Sequence, residues 1–260
     1  MIPHRPHPRA SDRARFSRAA LPLVLLASGL AACGRVPGQF EIVNNQVPTG
    51  GCAVPVNETV YQGQGTLDVR LVRSGNESAF FVFPLIRNNL PSPSEGADTN
   101  KIVLTSFAVD ISALTAPPAT GAVLNELESN GATYPLLHYK TPWSGSIPSG
   151  GGQVSAAVAA FPVELAARML ATQELGLTPS VWMNLRIRSF GHTTTQDMES
   201  DPFDYPISVC AGCLIANVQP CPFTAAPRNL GNPCNVAQDY PVDCCTAGSD
   251  LVCPPTVTAQ

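Results

Sequence analysis

Cys210 and Cys213 are separated by two residues and have the spacing of a redox motif. A redox-active thiol of this kind lies at a helix N-terminus, which lowers its pKa. Here the pair follows an alternating strand pattern and lies among other cysteines, so we interpret it as a structural disulfide. A zinc ribbon would use the same cysteines, but it favours a reducing compartment, and no histidine follows His192. We therefore predict no metal and no cofactor here.

A hydrolytic site needs a nucleophile, a base and an acid that orients the base. Beyond residue 32 the chain has two histidines, His138 and His192, and it has no G-x-S-x-G motif. His192 begins a threonine-rich loop that leads to Asp197. A histidine in such a polar loop is usually solvated, so we predict no catalytic residues.

Carboxylates are concentrated in the loop that follows His192. The four of them are Asp197, Glu199, Asp201 and Asp204. Calcium binds oxygen clusters, but the spacing and the glycine of an EF-hand are missing. We interpret the segment as a solvated acidic loop between two strands.

Four aromatic residues offer a ligand-binding face for a small molecule or a glycan. They are Tyr134, Tyr139, Trp143 and Trp182. Trp182 alternates with the apolar residues of its strand, which is typical of an exposed position. Packing beneath a loop is equally compatible with the pattern, so the ligand-binding residues are not identified from the sequence.

The first 32 residues have the pattern of an export signal. Five arginines and one acid, Asp12, lie in residues 1–18, and residues 19–32 are uncharged and rich in leucine and alanine. A basic region followed by a short apolar region is typical of a secretory signal and is too short to span a membrane. The rest of the chain has 10 basic and 18 acidic residues, or a formal charge of −8. This acidity argues against nucleic acid as a partner.

The sequence LAAC, Leu30 to Cys33, spans the end of the predicted signal and the residue that follows it. This segment resembles the lipobox of bacterial lipoproteins, and the resemblance implies a diacylglycerol thioether on Cys33, which becomes the new N-terminus. In that family an aspartate at the next position tends to retain the protein in the inner membrane, so Gly34 implies the outer membrane. Each buried CH₂ contributes about 0.8 kcal/mol, so two or three acyl chains, palmitate among them, anchor a protein stably.

The chain has nine cysteines, so if Cys33 carries a lipid, an even number, eight, remains. In an oxidising compartment this predicts four disulfides, whose connectivity the spacing leaves open. The eight cysteines are Cys52, Cys210, Cys213, Cys221, Cys234, Cys244, Cys245 and Cys253.

Alternating and continuous apolar runs predict a mainly β fold. Residues 66–73 alternate and residues 79–86 are almost continuously apolar, so the turn at 74–76 predicts a hairpin between them. Residues 102–111 change phase near Thr105, as they would at a β-bulge. Residues 122–129 fit either a helical turn or a strand.

The second half of the chain predicts one helix between strands. Pro162 opens a helical pattern that follows a strand at 154–161 and ends near Gly176. Residues 140–153 contain three successive glycines and are predicted to be a loop. Residues 181–188 and 203–209 alternate as strands. Since Pro206 cannot donate to a ladder, the second is predicted to be an edge strand or to carry a bulge.

Seven or so short strands with one inserted short helix predict an immunoglobulin-like β-sandwich over residues 51–209. Residues 1–32 are predicted to be the signal peptide and residues 33–50 a tether. Residues 210–260 form a disulfide-rich C-terminal tail, with seven cysteines in 44 residues. We expect crosslinks, rather than a core of its own, to hold this tail.

Four segments carry a further resemblance across most of the mature chain. They are G-x-L-D-V at 65–69, F-P-L-I-R-N-N-L at 83–90, N-K-I-V-L at 100–104 and F-D-Y-P-I-S-V-C-A-G-C-L at 203–214. Together they resemble a group of cysteine-rich outer-membrane lipoproteins of myxobacteria. The resemblance implies a location and a β-rich fold, and it implies no activity.

The leading hypothesis is therefore a lipid-anchored outer-membrane lipoprotein with a non-enzymatic interaction or envelope-structural role. Its partners are the membrane, through the lipid on Cys33, and a protein or glycan that the sequence does not identify. A small-molecule or glycan-binding module is the alternative, and a concave aromatic groove would favour it. An enzyme with an unrecognised site is the second alternative, and His192 hydrogen-bonded to a serine and an aspartate would favour it.

Overall fold

A computed structural model describes residues 38–56, 59–130, 135–223, 229–248 and 250–253. The predicted signal peptide, Cys33, Gly34 and Tyr134 lie outside these residues. The segment predicted to be a tether contains a strand, Phe40–Asn45, whose Phe40 is buried. No helix among the described residues is long and apolar enough to span a membrane.

The described chain is mainly β, as predicted. Its strands are β1 (Phe40–Asn45), β2 (Gly65–Asp68), β3 (Phe80–Val82), β4 (Pro84–Asn88), β5 (Ile102–Thr115), β6 (His138–Ile147), β7 (Gly152–Ser155), β8 (Val158–Phe161), β9 (Val181–His192), β10 (Asp197–Glu199), β11 (Phe203–Cys210), β12 (Ile215–Pro220), β13 (Val242–Ala247) and β14 (Asp250–Val252). Its α-helices are α1 (Pro118–Ser129) and α2 (Val163–Ala171).

Both helices begin at a proline-rich boundary. Pro118 opens α1, where its missing N–H costs nothing, and Pro162 caps α2. The predicted helix after Pro162 is confirmed, although it ends at Ala171 and not near Gly176. The prediction of a single helix is wrong, because the ambiguous stretch at 122–129 lies within α1.

The largest sheet has the strand order β2-β11-β9-β5-β6, with β10 paired to β9. The pairs β11–β9, β9–β5 and β5–β6 are antiparallel, whereas β2 runs parallel to β11. Both pairings of β5 shift register between Leu104 and Ser106, which confirms the predicted bulge. The bulge reverses which side chains face the core, so the two halves of β5 have opposite phase.

Three smaller sheets complete the described fold. Their orders are β1-β4-β7, β12-β13-β14 and β3-β8. One continuous core cluster includes residues from the large sheet, from these smaller sheets and from both helices.

The predicted hairpin between residues 66–73 and 79–86 is wrong. Strand β2 ends at Asp68, whose carboxylate accepts the N–H of Arg70 and starts a 3₁₀ turn. The apolar run at 79–86 divides at Phe83, whose N–H donates to the side chain of Asn45 at 2.6 Å. Its two halves, β3 and β4, therefore belong to different sheets.

The predicted loop at 140–153 is also wrong, because most of it is strand β6, paired to β5. A Cβ on Gly145 would lie 2.2 Å from the indole of Trp143, so this glycine makes room for a packed aromatic ring inside a strand. Glycine here indicates close packing and not a turn.

Strand β11 lies between β2 and β9, so the prediction of an edge strand is wrong. Pairing with β2 covers only Ile207–Cys210, and Pro206 lies just before it. Pro206 is therefore paired with β9 on one side and has no β2 residue opposite it on the other side, where a missing N–H is tolerated.

The cysteine-rich segment contributes to the common core. Val236, Ala237 and Val242 are buried in the same cluster as the large sheet. The side chain of Gln238 accepts from the N–H of Phe81 at 2.8 Å and donates to its carbonyl at 3.2 Å. Packing and hydrogen bonds, in addition to crosslinks, therefore hold this segment.

The four predicted disulfides are confirmed, and each joins two of the eight cysteines. The pairs are Cys52–Cys234, Cys210–Cys213, Cys221–Cys245 and Cys244–Cys253.

Candidate functional site on the outer face of the large sheet

Strict alternation along β9 separates a core side from a solvent side. Val181, Met183, Leu185 and Ile187 are buried, and the residues between them face outward. Three of the outward side chains are polar: Asn184, Arg186 and Arg188. The side of the large sheet that faces away from the core is therefore charged.

A row of alternating charges crosses four strands of this face at one register position. Asp204 on β11 is opposite Arg186 on β9, which is opposite Asp110 on β5, which is opposite His138 on β6. We call these four residues the charged row. Side chains directly opposite each other in a sheet lie close enough to interact, so the register itself makes each neighbour an opposite charge.

Arg186 and Asp204 form the most regular pair of the row. Arg186 Nε donates to Asp204 Oδ1 at 2.9 Å and Nη2 donates to Oδ2 at 3.1 Å, while Asn184 Nδ2 donates to Oδ1 at 2.7 Å. The guanidinium and then the amide lower the pKa of the Asp204 carboxyl. The Arg186 side chain is still 52% exposed, so the pair is open to a ligand.

His138 lies between two carboxylates. Its Nδ1 is 2.9 Å from Asp110 Oδ1, and its Nε2 is 3.0 Å from Glu128 Oε2 on α1. The hydrogen bond to Asp110, followed by that to Glu128, raises the pKa of His138. With both nitrogens donating, the protonated ring is a cationic bridge and not a free general base.

Arg188 extends the charged surface toward β10. Its Nη1 donates to Glu199 Oε1 at 2.9 Å, and its Nη2 donates to Asp110 Oδ2 at 3.3 Å. The ammonium of Lys140 lies 4.4 Å from the centroid of the Phe190 ring, a cation–π distance.

A shallow cavity of about 390 Å³ opens on the row. Its volume lies in the range of small-molecule sites. The lining residues are Asp110, Ile111, Ser112, His138, Asn184 and Arg186. The arrangement presents hydroxyl, amide and both signs of charge to one small polar ligand.

The structure does not assemble the aromatic groove. Trp143 packs edge-on against Phe107, with ring centroids 6.0 Å apart, and Tyr139 donates its hydroxyl to the Ala159 carbonyl at 3.0 Å. Burial raises the pKa of that tyrosine. Trp182 faces outward and is 36% exposed. Of the described aromatic candidates, it alone belongs to the charged face.

His192 is not part of a hydrolytic arrangement in the described chain. It is exposed at the end of β9, opposite Val103 on one side and Asp197 on the other. Its side chain hydrogen-bonds to no serine or aspartate of the described ranges. The histidine that does contact an aspartate is His138, whose second nitrogen contacts another carboxylate.

The four predicted loop carboxylates do not converge. Glu199 pairs with Arg188 and Asp204 with Arg186, on β10 and β11 respectively. Within the ranges that the structure describes, one group of three metal-type ligands comes together, and it is Asp68, Cys210 and Cys213. Metal binding there would require thiolates, and these two sulfurs form a disulfide.

Comparisons of the chain with protein-family models, with curated proteins and with solved structures give no match. The function is therefore argued from the charged face and from the surroundings of the cysteines. Sequence reasoning missed the pairing of Asp110 with His138. The signal was one ionisable residue on each of four strands, but only the register shows that these positions align.

Proposed function

We propose that this protein is a lipid-anchored outer-membrane lipoprotein whose folded body has a non-enzymatic interaction or envelope-structural role. The anchor rests on the lipobox resemblance at Cys33 and on the export pattern before it. The charged row is the observation that carries the interaction role. It places four ionisable side chains in solvent on one flat sheet face, where fixed alternating charges favour one orientation of a partner.

The occupant that fits this surface best is a polar partner with both signs of charge. Arg186 already pairs with Asp204, and both Arg188 and His138 contact Asp110, so a ligand of one sign would have to break a pair. A partner that matches the alternation keeps both pairs and adds its own contacts. Such matching gives specificity more than affinity.

Site-specific photocrosslinking in intact envelopes tests this proposal. A photoreactive residue at Ser112, beside the row, is expected to give a defined adduct, and one at the exposed Leu177 is expected to give none. Arg186→Asp is expected to abolish the adduct at Ser112. The swapped pair Arg186→Asp with Asp204→Arg restores the ion pair but reverses the pattern, so it is expected to abolish the adduct as well.

Either of two results would overturn the interaction role of the row. One is the same adducts from Ser112 and Leu177, since the row would then carry no selectivity. The other is full recovery of the adduct in the swapped pair, because the two charges would then serve only the stability of the sheet.

A glycan-binding module is the second candidate, and Trp182 favours it. The indole lies on the same face as the cavity, two positions along β9 from Asn184. A sugar ring can stack its apolar C–H face on an aromatic ring, while amide and hydroxyl groups beside that ring bind its polar edges.

Tryptophan fluorescence tests glycan binding directly, because the chain has two tryptophans. Trp143→Phe leaves Trp182 as the only reporter, and Trp182→Phe leaves the packed Trp143 as the matched control. Titration with peptidoglycan fragments is expected to shift the emission of the first variant alone. An unchanged spectrum in both variants, up to saturating glycan, would remove this candidate.

An enzymatic role is the weakest of the proposals. His138 does not support it, because both nitrogens of its ring contact carboxylates and neither is left to act as a base. For the fold, we propose the immunoglobulin-like arrangement over residues 51–209, with the large sheet as one layer. The core cluster shared by β5, β9 and β8 supports packing of the sheets against each other.

A further inference from the structure

The four disulfides differ in what they connect. Three of them join separate strands or segments, at sequence separations of 182, 24 and 9. The fourth, Cys210–Cys213, closes a loop at the end of β11 with a separation of 3. The entropy that a crosslink removes from the unfolded chain is smallest for the shortest loop. This bond is therefore the one whose opening is expected to lower the unfolding free energy least.

The two cysteines of this pair are buried to different extents. Cys210 is fully buried, whereas Cys213 and its neighbour Ala211 are half-buried. Exchange begins with attack of a thiolate on one sulfur, and the other sulfur leaves. The geometry makes Cys213 the attacked atom and Cys210 the leaving group.

A buried carboxyl group lies against both sulfurs. One oxygen of Asp68 and the two Sγ atoms all lie within 4.8 Å of one another. The N–H groups on either side of Cys213 hold this carboxyl in place, since Gly212 donates to Oδ1 at 2.6 Å and Leu214 to Oδ2 at 3.0 Å. Gly212 has a φ of 97°, which turns the loop back toward Asp68.

The surroundings of Asp68 act on its pKa in opposite directions. Its carboxyl is fully buried, and this burial raises its pKa against the opposing effect of the hydrogen bonds from Gly212, Leu214 and Arg70. A thiolate formed beside an ionised carboxylate would be disfavoured by like charge. A protonated carboxyl instead has a proton to give to a sulfur that arrives as a thiolate.

We propose that Cys210–Cys213 is a redox-active disulfide that exchanges with external dithiols at Cys213, and that Asp68 supplies the proton that the Cys210 sulfur takes up. This activity goes beyond the proposed interaction role, and it replaces the interpretation of this pair as a purely structural disulfide. It would let the lipoprotein oxidise a neighbouring dithiol, or reduce a neighbouring disulfide in the reverse direction.

The exchange balances in two steps. A dithiol loses a proton to water, and its thiolate attacks Cys213 Sγ, which breaks the S–S bond and sends the electron pair to Cys210 Sγ. Cys210 takes the proton of Asp68, which water then replaces. The second thiol loses its proton and attacks the mixed disulfide, so the dithiol leaves oxidised and the Cys213 thiolate takes a proton from water. Two electrons and two protons pass to the cysteines.

Opening rates under native conditions test the proposal. The purified full-length protein in detergent is exposed to dithiothreitol, quenched in acid, alkylated and mapped by mass spectrometry. Cys221–Cys245 is the internal control, because it also pairs a half-buried with a buried cysteine. We expect Cys210–Cys213 to open at least tenfold faster. Equal or slower opening would overturn the redox assignment.

The pH profile tests the role of Asp68. After correction for the thiolate fraction of dithiothreitol, the opening rate of the wild type is expected to fall as Asp68 ionises, and in Asp68→Asn it is expected to be lower and independent of pH. Identical profiles would remove Asp68 as the proton donor. If the variant does not fold, a flat corrected profile in the wild type would refute the same role.

Discussion

The crosslink between Cys52 and Cys234 allows the most quantitative test of the fold. It joins the segment after β1 to the C-terminal cysteine-rich segment, at a sequence separation of 182. For a loop of this length the loss of unfolded-state entropy corresponds to about 5 kcal/mol at 25 °C. The same relation gives about 2 kcal/mol for the short loop of Cys210–Cys213. Removal of the long-range bond should therefore cost more by about 3 kcal/mol.

Urea unfolding at pH 7 without reductant measures this difference. Cys52→Ala with Cys234→Ala is the test variant, and Cys210→Ala with Cys213→Ala is the matched control. The test variant should also unfold with a steeper dependence on urea, because its unfolded chain is less compact and exposes more surface. Equal losses of unfolding free energy in the two variants would refute the loop-entropy reasoning.

Three further predictions concern charge and packing. The pKa of His138 is raised, so its contribution to the unfolding free energy is present at low pH and is lost as the pH rises through that pKa. His138→Gln should remove this dependence of stability on pH. The effect should be less than about 1 kcal/mol, because the ion pairs are exposed. Burial raises the pKa of Asp239 from 3.8 to about 6, so its contribution to stability should fall between these pH values by at most about 3 kcal/mol. Asp239→Asn should therefore lose less stability than the wild type over this range. Urea titrations at pH 4 and pH 8 check both, and parallel behaviour of wild type and variant would contradict them. Gly65→Ala places a Cβ 2.4 Å from Phe80 Cζ, so it should lower the unfolding free energy by about 1–3 kcal/mol, and an unchanged midpoint would contradict the packing.

Local patterns predicted the parts of the fold that depend on one strand or one helix. Alternation identified β9 and β11, and the change of phase near Thr105 identified the bulge in β5. These signals are local because the side-chain period of a strand is set by its own backbone.

Which strands pair with each other depends on the rest of the chain, and this pairing was predicted poorly. A continuous apolar run gives no sign that Asn45 will take the N–H of Phe83 and divide it between two sheets. Residues 140–153 were predicted to be a loop, although Gly145 lies in a strand, where it makes room for Trp143. In both cases the deciding contact comes from a side chain that the local pattern does not include.

The candidate site shows the same division. The alternation of β9 indicated that its arginines face outward, whereas Asp204 was predicted to lie in an acidic loop. The charged row exists only because four strands share one register. Asp68 was predicted to be one polar residue of the alternating strand at residues 66–73. Its contact with Cys210 and Cys213 depends on the parallel pairing of β2 with β11, which brings Asp68 opposite Cys210.

The most direct test of the proposed function is the mass of the N-terminal peptide of the mature protein from native membranes. The account predicts a peptide that begins at Cys33 and carries diacylglycerol on its sulfur, and a Cys33→Ser protein that is either released from membranes or left uncleaved. An N-terminus at another residue, or an unmodified thiol on Cys33 in the membrane fraction, would contradict it.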